Sequence, residues 1–346
     1  MYSLGLATVT KVSWALPATA KLEACCRAFS EVLLPSTATT RCLYINYSIV
    51  RLHRLMPVLC SIIDVVCFVG IFFFCSAKKQ PALFGRFMEQ SDYLRRFGGI
   101  ARLYGEQGLQ ALRQAHVCVV GVGGVGSWAA EALARSGVGN ITLIDLDNIT
   151  VSNVNRQLHA LTPDFGKAKV HALHERIAQI NPECAVHEIE DFVDDDNLPE
   201  LFPKQPAFDF VIDAFDQMRI KTAMVLRFTQ TKQAFIVSGG AGGQRNPALI
   251  ENADLSETTH DPLLSNLRYT LRKKHGFARN GKMRVPCVYS REQITPPQVQ
   301  AACDLNAAPQ GLSCAGYGAS MLVTATFGLY CATAAIEHII RTQSSK

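Results

Sequence analysis

An α/β fold with a mostly parallel central sheet and flanking helices is predicted by three observations. From Met88 onward, short apolar runs alternate with stretches of helical periodicity. The first run, Val117–Val120, passes directly into a glycine-rich turn and then a helix near Ser127–Ser136. Two later runs bring carboxylates to strand ends, Ile141–Ile144 ahead of Asp145 and Phe208–Asp213 ahead of Ala214-Phe215-Asp216-Gln217.

The chain has 346 residues, 48% hydrophobic and 18% charged, which excludes a disordered chain and allows one large or two ordinary domains. A net charge of +5 is compatible with an anionic ligand or RNA and decides neither. Of the 12 cysteines, six precede residue 80 and none forms a C-x-x-C pair, so a structural zinc site has no support. A reducing, cytoplasmic setting is the expectation.

Residues 1–87 form an atypical extension, rich in Cys, Ser, Thr and apolar residues without amphipathic period. Within it, Pro57–Ser76 is long enough to cross a bilayer and is followed by Lys78 and Lys79. Asp64 interrupts the segment, at roughly 2.5–3.5 kcal/mol if central. A membrane anchor or targeting segment, a translated upstream region with Met88 as the start, and a buried helix are the three readings. Residues 88–346 carry the regular pattern.

Gly121, Gly123, Gly124 and Gly126 form a G-x-G-G-x-G turn between strand and helix. Glycines let backbone approach a polyphosphate, and a helix N-terminus offers free N–H groups and partial positive charge. Asp145 lies 19 residues beyond Gly126, where a Rossmann-like fold binds ribose hydroxyls. To this point NAD and ATP are equally allowed. Ser152-Asn153-Val154-Asn155-Arg156-Gln157 and Gly166-Lys167-Ala168-Lys169 then add cations, before an amphipathic helix over Val170–Ile180 that Asn181-Pro182 ends. An NAD site gains little from Arg156 and Lys169. A triphosphate attacked at its α-phosphorus needs them, because charge builds on the leaving pyrophosphate. Asp216 suits a Mg²⁺ beside phosphates, or a helix cap, or both.

The ordered set GVGGVGS, DLD, SNVNRQ, GKAK and DAFD resembles the ThiF/MoeB/HesA superfamily of ubiquitin-activating-enzyme-like adenylyltransferases. The resemblance implies a ThiF-type fold with a C-terminal extension packing on the sheet. It implies that Asp145 holds the adenosine ribose of ATP, that Asn153, Arg156 and Lys169 contact the triphosphate, and that Asp216 holds Mg²⁺. Three further segments, Arg96–Gly105 (RFGGIARLYG), Ser238–Gln244 (SGGAGGQ) and Leu312–Gly318 (LSCAGYG), resemble the tRNA threonylcarbamoyladenosine dehydratase family. That closer resemblance implies a tRNA substrate, adenylation of its threonyl carboxylate, ring closure with net loss of water, a homodimer, and cysteine-desulfurase or sulfur-acceptor partners. The alternative is an adenylyltransferase for the C-terminus of a ubiquitin-like or sulfur-carrier protein. MoeB-like relatives place an arginine four residues into an R-Y-N-R pattern, where it reaches the partner subunit's ATP. Here Gly99 holds that place, and Arg96 or Arg102 is the substitute, with Arg102 assigned to the site.

Arg268–His275, with Arg279, Lys282 and Arg284, is the densest basic stretch and reads as a tRNA backbone contact or a solvated helix face. Tyr269 stacks on a base or packs. Cys287 and Cys314 are expected to be buried, and Cys303 to be an exposed thiol. Ala315–Ile336 carries no charge; a core helix packing on the sheet is expected, with membrane association open.

Overall fold

The computed structural model describes residues 81–296 and 317–343. The chain separates into two units, Met1–Gly85 and Arg86–Lys346, and the second carries the fold. The Pro57–Ser76 segment, Cys303 and Cys314 lie outside the described residues.

A seven-stranded sheet runs β3-β2-β1-β4-β5-β7-β6, with β1 His116–Val120, β2 Asn140–Ile144, β3 Ala185–Ile189, β4 Phe210–Asp213, β5 Phe235–Ser238, β6 Ile250–Asp254 and β7 Pro286–Ser290. Every neighbouring pair is parallel except β6–β7. The helices are α1 Pro81–Gln114, α2 Gly126–Arg135, α3 Lys169–Ile180, α4 Leu198–Leu201, α5 Met218–Thr231, α6 Pro262–Lys274 and α7 Met321–Gln343. Chain order reverses across β1 and β4, which opens a crevice at their carboxyl ends.

The period-two alternation of a strand explains why the runs read as continuously apolar. Val117 and Val119 enter the core cluster shared with α2 and α7, while Cys118 and Val120 enter the cluster shared with α5 and α6. Both faces of β1 are buried, so neither set of positions is polar. At the edge, β3 is partly exposed and carries His187 and Glu188, which discourage pairing with another strand.

Helix α7 is the core helix expected from Ala315–Ile336, shifted toward the C-terminus. Its Val323, Phe327, Cys331, Ala335 and Ile339 are buried in the core. By length and composition it also passes as a membrane span, with 56% of that window buried. Gly328 marks its closest approach to α2: a Cβ there would lie 2.5 Å from the Val125 carbonyl oxygen. Helix α1 breaks at Gly105, whose φ of 79° is outside the helical region. Its first half packs far from the crevice. The Tyr93 hydroxyl donates to the Gly137 carbonyl after α2, and the Arg96 guanidinium donates to the Gln179 and Ile180 carbonyls at the end of α3.

Candidate nucleotide site

The glycine turn closes because two positions exclude any side chain. Gly121 has φ 82°, and a Cβ on it would stand 2.9 Å from the Ala214 carbonyl oxygen of the next strand's exit. A Cβ on Gly126 would stand 1.9 Å from the Gly121 carbonyl oxygen. The turn therefore folds tightly onto the first turn of α2, where the Ser127 amide donates to the Gly123 carbonyl at 3.2 Å and the positive end of the helix faces the turn.

Asp145, at the carboxyl end of β2, is buried and already organised. Its Oδ2 accepts from the Val122 amide at 2.8 Å and its Oδ1 from the Asp147 amide at 2.9 Å. The Lys169 Nζ lies 3.5 Å from Asp145 Oδ1 and 2.7 Å from Asp147 Oδ2, and Lys169 is itself buried. Burial pushes the Asp145 carboxyl up, against the pull of Lys169 and the amide donors. The structure brings Asp145 and Lys169, two of the expected site residues, together. Asp147, which was not among them, binds Lys169 more closely.

Arg156 is brought over the turn, its Cγ 3.3 Å from where a Cβ of Gly124 would be. Two side chains absent from the sequence reading anchor its backbone. Trp128 Nε1 donates to the Arg156 carbonyl at 3.0 Å, and Thr324 Oγ1 donates to the same oxygen at 3.4 Å. Arg156 Nη1 is held by the Ser152 carbonyl and Asn155 Oδ1. Asn153 is buried and caps the Val151–Asn153 turn, accepting from the Thr150 amide. Gln157 Nε2 is 3.7 Å from the corresponding position of Gly123, and its buried Oε1 has no partner.

Asp216 stands three residues beyond β4, half-buried. The N-cap of α5 is the next residue, Gln217, which makes no side-chain bond to the helix. Beneath it lies a pair that sequence spacing did not flag. Lys221 Nζ donates to Asp213 Oδ1 at 2.8 Å, and both side chains are fully buried. An Asp at a strand end and a Lys eight residues later on the following helix was the signal available. His159, 2% exposed, has no partner for either ring nitrogen; burial, then Lys169, hold its pKa down to about 4.

Both candidate phosphate arginines, Arg96 and Arg102, lie on α1. Arg96 donates to the Gln179 and Ile180 carbonyls at the end of α3. Arg102 is exposed on α1, which packs on the ends of α2 and α3 remote from the glycine turn, so this chain does not bring it to its own cradle. The basic stretch is likewise divided. Arg268 Nη1 donates to the Leu255 and Thr258 carbonyls and to Thr258 Oγ1, making it a structural residue. Tyr269 is 57% exposed rather than packed, with the Lys273 ammonium 5.1 Å from its ring centre. Cys287 is buried as expected, and burial raises its thiol well above the usual range.

The sequence profile of the ThiF family matches residues 95–346. The chain belongs to the ThiF family. Within that family it is 46% identical over 258 residues to the tRNA threonylcarbamoyladenosine dehydratase of Escherichia coli K12, covering 72% of this chain and 94% of that protein. It is 43% identical to the Haemophilus influenzae protein of the same name, covering 73% and 96%. The solved structure of the E. coli dehydratase in complex with ATP superposes with a TM-score of 0.66 at 44% identity, covering 73% of this chain and 97% of that one. The E. coli molybdopterin-synthase adenylyltransferase is 33% identical over only 125 residues, 49% of its length. Both the mostly parallel ThiF fold and the dehydratase resemblance are borne out.

Proposed function

We propose that this protein is an ATP-dependent tRNA threonylcarbamoyladenosine dehydratase. The observation that supports it best is the extent of the likeness. Identity to the dehydratases runs through the substrate-side half as well as the cradle, whereas the sulfur-carrier adenylyltransferases match over about half their length.

The chemistry follows from the crevice. A carboxylate is a poor electrophile, so an oxygen of the threonyl carboxylate attacks the α-phosphorus of ATP and pyrophosphate leaves. The glycine turn and the first turn of α2 receive the phosphates, and Asp145 holds the ribose. Arg156 and Lys169 offset the charge that develops on pyrophosphate. An internal nitrogen or oxygen of the threonylcarbamoyl group then attacks the acyl carbon. AMP departs with the carboxylate oxygen, the attacking atom loses its proton, and the net change is one water. This second step is intramolecular, so holding the group in place supplies much of the acceleration.

Among the described residues no cluster of three or more metal-ligating side chains exists. Asp216, just beyond β4 on the carboxyl edge of the sheet, is the carboxylate we assign to Mg²⁺ beside the ligand's phosphates. A Mg²⁺ held there would neutralise phosphate charge. Arg102 serves the cradle of a second copy in a homodimer. In support, the Val151 and Val154 turn and the start of α7 join through the Met321 amide on the Asn155 carbonyl. They expose Val151, Val154, Met321, Leu322, Leu329 and Tyr330 together. The exposed cations Lys273, Lys274, Arg279, Lys282 and Arg284 contact the tRNA backbone. By the family resemblance, the protein partners of this chain are a cysteine desulfurase or a sulfur acceptor.

The test is incubation of the full chain with ATP, Mg²⁺ and threonylcarbamoylated tRNA, followed by nucleoside mass spectrometry. The expected product is lighter by one water, with AMP formed in step. Unchanged nucleosides, with AMP appearing only when a sulfur-carrier protein is added, reject the dehydratase in favour of the adenylyltransferase.

A further inference from the structure

Away from the glycine turn, a cavity of about 380 Å³ opens on the same carboxyl edge of the sheet. Its volume falls in the range of small-ligand pockets, roughly 300–1,000 Å³. The lining includes His260, Asp261, Ser265, Gln293, Ile294 and Tyr317. Asp261 fixes its position: Oδ2 accepts from the Gly240 amide at 2.9 Å just past β5, and Oδ1 accepts from the Leu264 amide at 3.0 Å as the cap of α6.

One residue ties the wall together. Gly243, with φ 75°, donates its amide to the Gly318 carbonyl and accepts from the Thr295 amide, both at 2.8 Å. A Cβ on it would lie 2.5 Å from the Ile294 side chain and 3.2 Å from the Tyr317 ring. The SGGAGGQ segment after β5, the loop after β7 and the approach to α7 therefore meet at a glycine and can meet only there. This gives the glycines of that segment a physical task distinct from phosphate binding. They let three strands of backbone close around Tyr317.

We propose that this cavity seats the modified adenine, with the Tyr317 ring stacked on the base. The assignment rests on the dehydratase reading and adds where its substrate lies. Distance supports it. The exits of β1 and β5 are separated by β4, two inter-strand steps of about 4.8 Å each, or roughly 10 Å. Four bonds of about 1.3–1.5 Å join the adenine N6 to the threonyl carboxyl carbon, and the ring itself adds to that reach. A base at Tyr317 thus extends its carboxylate to the cradle. Chemistry supports it too: unstacked RNA bases are recognised by aromatic stacking and by hydrogen bonds to their edges. The Gln293 amide at the mouth offers both a donor and an acceptor. Lys274, at the basic end of α6, lies nine residues beyond Ser265 of the lining, about 14 Å at 1.5 Å per residue, a separation suited to backbone contacts flanking an extruded nucleotide.

The test uses the full chain with two variants and two readouts. Tyr317→Ala removes the stacking face. Ser265→Trp, on the exposed first turn of α6, fills the cavity without entering the core. Both are expected to raise KM for threonylcarbamoylated tRNA about tenfold or more, and to abolish binding of the free nucleoside N6-threonylcarbamoyladenosine, with ATP affinity unchanged. Tyr317→Phe is expected to retain near wild-type values. An active wild type whose two variants keep their KM and nucleoside binding overturns the pocket alone. A wild type that dehydrates no threonylcarbamoylated tRNA overturns the dehydratase reading, and the pocket assignment with it.

Discussion

Lys221 is a buried ammonium whose worth depends on its carboxylate. Removing one partner of a buried pair leaves the other charge uncompensated, at a cost of about 3–5 kcal/mol. Lys221→Met is therefore expected to lower unfolding free energy by about that amount, read by urea titration, and Asp213→Asn in the same chain should restore part of it. Because β4 leads directly to Asp216, the single variant should also lose AMP formation. His159 gives a pH signature. Its folded pKa of about 4 lies below the ordinary value of 6.5, so the unfolded chain binds the extra proton between the two. Its contribution is complete above about pH 6.5 and is lost as pH falls toward 4. The difference is about 2.5 pH units, or about 3 kcal/mol at 1.36 kcal/mol per unit. Subtracting the stability–pH curve of His159→Phe from that of wild type should isolate this slope; parallel curves would reject it. The acid and the cations of the cradle were legible because ATP chemistry demands particular residue types in a particular order. Trp128 and Thr324 were not, because they act through hydrogen bonds to one backbone carbonyl, which any of several residue types at many spacings can make.

At the scale of elements, α2 has two tasks: its N-terminus faces the phosphates and its flank carries α7. Gly328 makes the second compatible with the first. Gly328→Val should push α7 away from Val125 and Ala129 and displace the glycine turn. The expected result is a lower melting temperature together with weaker ATP binding by calorimetry. The strands β1, β2 and β4 were readable as apolar runs because both their faces are buried. β3 was not, since its one covered face and exposed edge dilute the pattern, and β6 and β7 pair far from the glycine motif that organised the reading. Helix α7 was recognisable as apolar, yet its start at Met321 is set by contacts with Asn155, 166 residues earlier in sequence, and no local signal carries that.

For the whole molecule, the role proposed for Arg102 requires a second copy to complete the site. In a two-fold dimer, mixing inactive Arg102→Ala with inactive Asp216→Ala gives mixed dimers holding one site with both changes and one with neither. Random mixing should recover about a quarter of wild-type turnover, since half the dimers are mixed and half their sites intact. No recovery, with exchange of subunits confirmed by light scattering or mass spectrometry, would exclude a shared site. The first turn of α7 has its own role at this scale. Just before it, the Gly318 carbonyl accepts from Gly243 at the nucleoside pocket; within it, Thr324 bonds to Arg156 at the cradle. Both ligands therefore act on the placement of one helix start. Whatever factor bound ATP lends to tRNA affinity, bound tRNA must lend the same factor to ATP affinity. The Gly243 knot is in that sense a thermodynamic link, and Gly243→Ala, which forces Ile294 and Tyr317 away, should weaken nucleoside binding and shrink the factor that each ligand lends the other.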